Sequence, residues 1–170
     1  MTKNGHEKTV YARMGLPVKK EWEVDKKTDT INQITVKLES MAVPMDRREF
    51  SREEYNRLFP EGKVKTPLGE VKMGAGQFDK LEAKGRQELL GAVYQTLTDP
   101  IVILPEMRDG KNSRLYIKTF KEYSNDKREN VMAVVVDIEG KAIAVSLGMR
   151  RNEQIEAKIK KASIPLYLKG

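Results

Sequence analysis

The chain contains no cysteine and a single histidine, His6. The first absence excludes disulfides, thiolate nucleophiles and cysteine-ligated zinc or iron–sulfur centres. The second leaves a Ser–His–Asp triad or a multi-histidine metal site without its parts. Acid–base chemistry therefore falls to carboxylates, Lys, Arg or Tyr, and no metal or cofactor is expected. No apolar run approaches the roughly 18 residues of a membrane span, and the N-terminus lacks a signal-peptide hydrophobic region, so the sequence reads as soluble and cytoplasmic. Glycine clusters only at Gly74-Ala75-Gly76. Without a preceding buried strand or a Gly-Lys-Ser/Thr ending, that tripeptide reads as a hinge rather than a phosphate cradle.

What is present is charge, and its sign is uneven. The 32 Lys and Arg against 25 Asp and Glu give +7, and residues 140–170 hold seven of the cations but only Glu153 and Glu156 as acids. A basic balance of this kind suits an acidic partner such as nucleic acid, and equally a Lys-rich solvated surface. The length of 170 residues suits one core, or a domain of about 100 residues with an extension. The second division is adopted here: an extension over 1–60 carrying a short helix, and an α+β domain over 61–170.

The organising stretch is 77–100. Phe78, Leu81, Gly85, Leu89, Ala92, Val93 and Thr96 recur at steps of three and four, which predicts one long helix stopped at Asp99-Pro100. Upstream, Ile34, Val36 and Leu38 alternate as in a short strand, Ser51 and Glu54 have capping-box spacing, and Phe50, Tyr55, Leu58 and Phe59 form an apolar packing foot. Residues 63–73 suggest a hairpin about Thr66-Pro67-Leu68-Gly69. Downstream, four strand-like runs follow: 101–104 up to Pro105, 114–120, the nearly all-apolar 131–138, and 142–149. Residues 123–130 read as a polar loop. Short loops favour antiparallel hairpins. A basic helix from Asn152 with Ile155 and Ile159, and an apolar segment over 164–168, complete the chain. The expected fold is a long helix packed on an antiparallel sheet of about four strands, with a partly helical N-terminal extension.

In 114–120, Leu115 and Ile117 point one way and Arg114, Tyr116, Lys118 and Phe120 the other; in 142–149, Ile143, Val145 and Leu147 alternate with Ala144, Ser146 and Gly148. If the helix covers the first set, the second forms an open face carrying Arg114, Tyr116, Lys118 and Ser146. Arg and Lys there can hold phosphates and Tyr can stack a base or relay a proton. The same alternation also describes a solvated outer face. Lys84, Arg86, Arg150 and Arg151 extend the basic rim, and Lys158 lies on the terminal basic helix.

The stretches GQFDKLEAKGRQELLGAVYQTLTDPIVIL, SRLYIKTF and VMAVVVDIEGKAIAVS followed by Arg150 resemble a domain of phage and mobile-element polyvalent proteins, assigned to the barnase–EndoU–colicin–RelE-like superfamily of nucleases. The similarity spans about residues 60–168 and rests on short motifs rather than an invariant signature. It implies a toxin or effector that cleaves RNA, tRNA among the candidates, through the 2′-hydroxyl without a metal, and with it a cognate immunity or inhibitor protein. Carried over by position, Arg86, Tyr116, Lys118, Ser146 and Arg150 are the residues expected to face substrate, with Lys84, Arg114, Arg151 and Lys158 holding the strand. Where many members of the superfamily place a histidine, this chain has Ser146-Leu147-Gly148. The resemblance therefore leaves two readings: an active ribonuclease, or an inactive module that binds RNA or a protein partner.

Overall fold

The computed structural model describes residues 18–74, 76–121, 130–138, 142–162 and 164–170, with side chains from residue 28 onward. His6, the side chain of Trp22 and most of the loop expected over 123–130 lie outside this set. Among the described residues five α-helices, α1 (Val18–Ser40), α2 (Arg52–Leu58), α3 (Gln77–Ala83), α4 (Leu90–Thr98) and α5 (Asn152–Lys161), accompany eight strands. The strands are β1 (Val43–Pro44), β2 (Lys63–Thr66), β3 (Gly69–Met73), β4 (Val102–Arg108), β5 (Lys111–Lys121), β6 (Val131–Asp137), β7 (Ile143–Arg150) and β8 (Tyr167–Leu168). They join in the order β2-β3-β7-β6-β5-β4-β8, with β1 pairing β5. Two pairings are parallel, β3 with β7 and β1 with β5; the rest are antiparallel.

The expected long helix on a four-stranded antiparallel sheet is thus corrected to a mixed eight-stranded sheet, and the reasons are local. The long helix is broken. Gly85 adopts φ 63°, its N–H reaches Glu82 O at 3.0 Å, and Arg86 N–H reaches Leu81 O at 2.8 Å. That pair of bonds is a Schellman stop, so Gly85 ends α3 instead of lying in an apolar stripe. Residues 31–38 are helical rather than extended. Ile31, Ile34 and Leu38 share one face of α1 and pack on the sheet, while Val36 is 62 % exposed. Pro105 lies inside β4 rather than ending it. The neighbouring Ile103 turns its carbonyl outward to Leu166 N–H, so Pro105 presents its missing donor to the outer edge, where it interrupts no ladder to β5.

The sheet curls into a half-barrel. β2 and β5 are four strand spacings apart in the sheet order, about 19 Å if the sheet were flat. Yet the Tyr116 hydroxyl of β5 meets Thr66 Oγ1 of β2 at 2.8 Å. The concave side wraps α4, whose Leu90, Gly91, Ala92, Val93, Thr96 and Leu97 are all buried and which packs against β2, β5 and β6. The Ser51–Glu54 capping box starts α2 as its spacing predicts, and Phe50, Tyr55 and Phe59 fill the same core, with the Tyr55 ring tilted against Phe59 at 5.2 Å and against Phe78 at 5.3 Å. The convex side is covered in part by α1 and by Ile155 and Ile159 of α5. β6 is buried on both sides, which accounts for its unbroken apolar run from Val131 to Val136. Among the described residues no helix is long and apolar enough to cross a membrane.

Candidate nucleic-acid interface

The face expected to be open is the concave one, and it is full. Tyr116 is 0 % and Lys118 1 % exposed. Thr66 gives its own proton to Gly69 O at 2.7 Å, so Tyr116 is the donor in their shared bond and its hydroxyl is satisfied inside the core. Lys118 donates to Asp99 O at 2.7 Å and to Asp99 Oδ2 at 3.0 Å, and Lys169 reaches the same carboxylate at 2.8 and 2.7 Å. Burial pushes the Lys118 ammonium below the ordinary lysine range, against the upward pull of Asp99. Burial raises the Asp99 carboxyl, but the hydrogen bonds and charges of Lys169 and Lys118 outweigh it and hold the group below the usual carboxylate range. The cluster fastens the start of β4 to the C-terminal segment.

The remaining predicted residues are dispersed. Arg86 and Lys84 are exposed in the break between α3 and α4. Arg114 shares the concave row of Tyr116 and donates to Leu68 O at 3.4 Å. Ser146 and Arg150 lie on the opposite face. The β6–β7 register runs Val136↔Ala144 and then Val135↔Ser146, so Val145 is an extra residue and the parity of everything after it is inverted. Leu147 and Met149 therefore join the concave core, while Ser146 pairs with Val135 and Arg150 with Val131 on the convex side. The Arg150 guanidinium lies over Gly148, where a Cβ would come within 2.7 Å of Nη1, and it donates to Met149 O at 3.2 Å. Arg151, exposed, lies 3.5 Å from Glu153, and Lys158 pairs with Glu106. The structure thus brings Arg114, Tyr116 and Lys118 onto one face, as the alternation predicts, and brings none of the other six to it.

The convex face carries a different constellation. One continuous row of directly paired residues crosses six strands: Lys63, Lys72, Ile143, Asp137, Ser113 and Glu106. Opposite partners share a face, so the row spans about 24 Å measured along the sheet. Lys63 directly opposes Lys72 at one end. At the other, two residues further along the β4–β5 hairpin and on the same face, Arg108 directly opposes Lys111. All four are exposed, and Lys158 and Lys161 of α5 are exposed beside the second pair's end of the row. Like charges directly opposite each other weaken a sheet. Lys63 also lies 3.9 Å from Glu70. In the sequence the available signal was Arg108-Asp109-Gly110-Lys111, two cations bracketing a tight turn.

Among the described residues no group of three or more His, Cys, Asp or Glu is placed to hold a metal ion. The described aromatic rings are buried or half-buried, which leaves none fully open as a stacking platform. No family model, no curated protein and no solved structure matches this chain.

Proposed function

We propose that this chain is a nucleic-acid-binding module, with RNA as its ligand, that grips the phosphate backbone on its convex face and does not cleave it. The observation that carries the reading is the pair of like-charge cross-strand contacts, Lys63 with Lys72 and Arg108 with Lys111, set on one face four strand spacings apart, about 19 Å measured along the sheet. Repulsion of this kind costs the free protein and is relieved by a polyanion laid across both pairs. Of the two readings that the resemblance leaves open, the binding module is the one this geometry supports. Tyr116 and Lys118 are closed to substrate and engaged with Thr66 and Asp99. Arg86, Ser146 and Arg150 lie elsewhere.

The test is titration of a structured RNA at several salt concentrations, with chain integrity followed in EDTA. The expected log–log slope is roughly −0.7 to −0.9 per phosphate contacted, shrinking when Lys63 and Lys72 are both changed to Gln, while the RNA stays intact. Affinity indifferent to salt and to these substitutions overturns the reading. Fragments ending in a 2′,3′-cyclic phosphate and lost in Lys118→Met would restore the ribonuclease.

A further inference from the structure

Among the described residues two buried side-chain polar atoms lack any hydrogen-bond partner, and one of them is Glu106 Oε2. Its twin, Oε1, takes the Lys158 ammonium. A buried acceptor without a donor is uncommon in a folded protein and costs stability until something supplies the donor. Glu106 is the last member of the convex row and lines a groove of about 460 Å³ with Met107, Ser113, Ile138, Lys161 and Leu166. Ser113 cannot serve as the missing donor, because its hydroxyl is given to Asp137 Oδ1 at 2.9 Å.

Two further properties of the groove are independent of that acceptor. Its wall includes Leu166, which is 45 % exposed and counts among the few large apolar side chains left open to water, beside Ala162. Its rim is cationic: Lys158 and Lys161 line it, and the Arg108–Lys111 pair stands next along the hairpin. An unfilled acceptor, an open apolar wall and two ammonium groups together match a planar heterocycle with an N–H donor and an attached phosphate.

We propose that this groove binds a nucleotide whose base bears an exocyclic amino group. The base lies against Leu166, which is in register with Leu104 on the Glu106 face, its amino group donates to Glu106 Oε2, and its phosphate meets Lys158 and Lys161, the exposed Lys158 side chain moving aside to admit it. The inference rests on the nucleic-acid reading of the convex face and adds base recognition to it. Cytosine, adenine and guanine, each with an exocyclic amino group, fit the acceptor. Uracil does not, because its one imino donor is flanked by two carbonyl oxygens that face the carboxylate.

The experiment compares short oligoribonucleotides of C, A and U by competition anisotropy, alongside CMP and UMP, on the full chain. The C and A strands are expected to bind about fivefold or more tighter than U, the worth of one good base contact. Glu106→Leu, which leaves no acceptor, should erase that difference with little effect on U, and Leu166→Ser, at an exposed position, should weaken C and A more than U. Discrimination between CMP and UMP identifies a free nucleotide as sufficient; discrimination confined to oligomers identifies a strand. Equal binding of C, A and U overturns base recognition and leaves backbone binding standing. If no oligomer binds at all, the reading of the convex face falls as well.

Discussion

Lys118 shows how one residue can change meaning once its neighbours are known. The alternation in residues 114–120 assigns it to the face of Tyr116, which is where it lies, but no local pattern says whether that face meets water or a helix. Its side chain is 2 % exposed while that of Asp99 is 50 %, so the pair is buried at one end and wet at the other. Removing the carboxylate strands a buried ammonium, and Asp99→Ala should cost about 2 kcal/mol, discounted from a fully buried pair because Asp99 is half in solvent. Lys118→Met removes charge and desolvation together and should cost less; urea midpoints of the two variants give the comparison. The pH dependence has a definite sign at each end. Asp99 has a lowered folded pKa, so its stabilisation is present above the ordinary carboxyl range and is lost as pH falls through that lowered value. Lys118 also has a lowered folded pKa, so the unfolded chain holds its proton more tightly and stability rises as pH climbs toward the ordinary lysine value of 10.5. Lys118→Met should lose that alkaline rise. A variant that keeps it would assign the titration to another group.

Among the elements, two glycines of the 77–100 stretch do opposite work. Gly85 stands in open space at φ 63° and stops α3, whereas Gly91 lies inside α4 with the Asp46 backbone pressed against it, where a Cβ would meet Asp46 O at 2.1 Å. Gly85→Ala meets only the left-handed backbone cost, about 1 kcal/mol. Gly91→Ala must push apart a helix and a strand-exit segment and should cost about 1–3 kcal/mol or more. Equal shifts in the urea midpoint of the two variants would contradict this account of α4. The elements that sequence did reveal are those whose signals are local: the Ser51–Glu54 cap, the 63–73 hairpin, and the apolar run of β6. Those it misread depended on contacts elsewhere. Ile34, Val36 and Leu38 satisfy a strand alternation, and only the packing of Ile31, Ile34 and Leu38 together selects the helix. The extra residue Val145 in β7 leaves no trace in the alternation, yet it moves Ser146 and Arg150 to the other face.

For the whole molecule, the curl decides which surface is available. A flat sheet would have left Arg114, Tyr116 and Lys118 on a face to be covered or not; closing it around α4 buries Tyr116 and Lys118, half-buries Arg114, and turns the convex side outward. The candidate interface was therefore hardly legible in sequence, because Lys63 and Lys72 become neighbours of Ile143, Asp137, Ser113 and Glu106 only through a parallel pairing between strands some 70 residues apart. Such an arrangement makes stability and binding oppose each other at one position. Lys72 faces Lys63 directly, so Lys72→Glu replaces a repulsive cross-strand pair with an attractive one and should stabilise the fold by about 0.2–1 kcal/mol. The same change removes one phosphate contact and adds an anion, so RNA affinity should fall and the salt slope should lessen by roughly one contact. Opposite signs in the two measurements are the expected signature of a cationic surface maintained for a ligand. A substitution that raises the melting temperature and leaves RNA binding unchanged would mean that the Lys63–Lys72 end of the row takes no part in the interface, and would confine binding to the Arg108–Lys111 end and the groove beside Glu106.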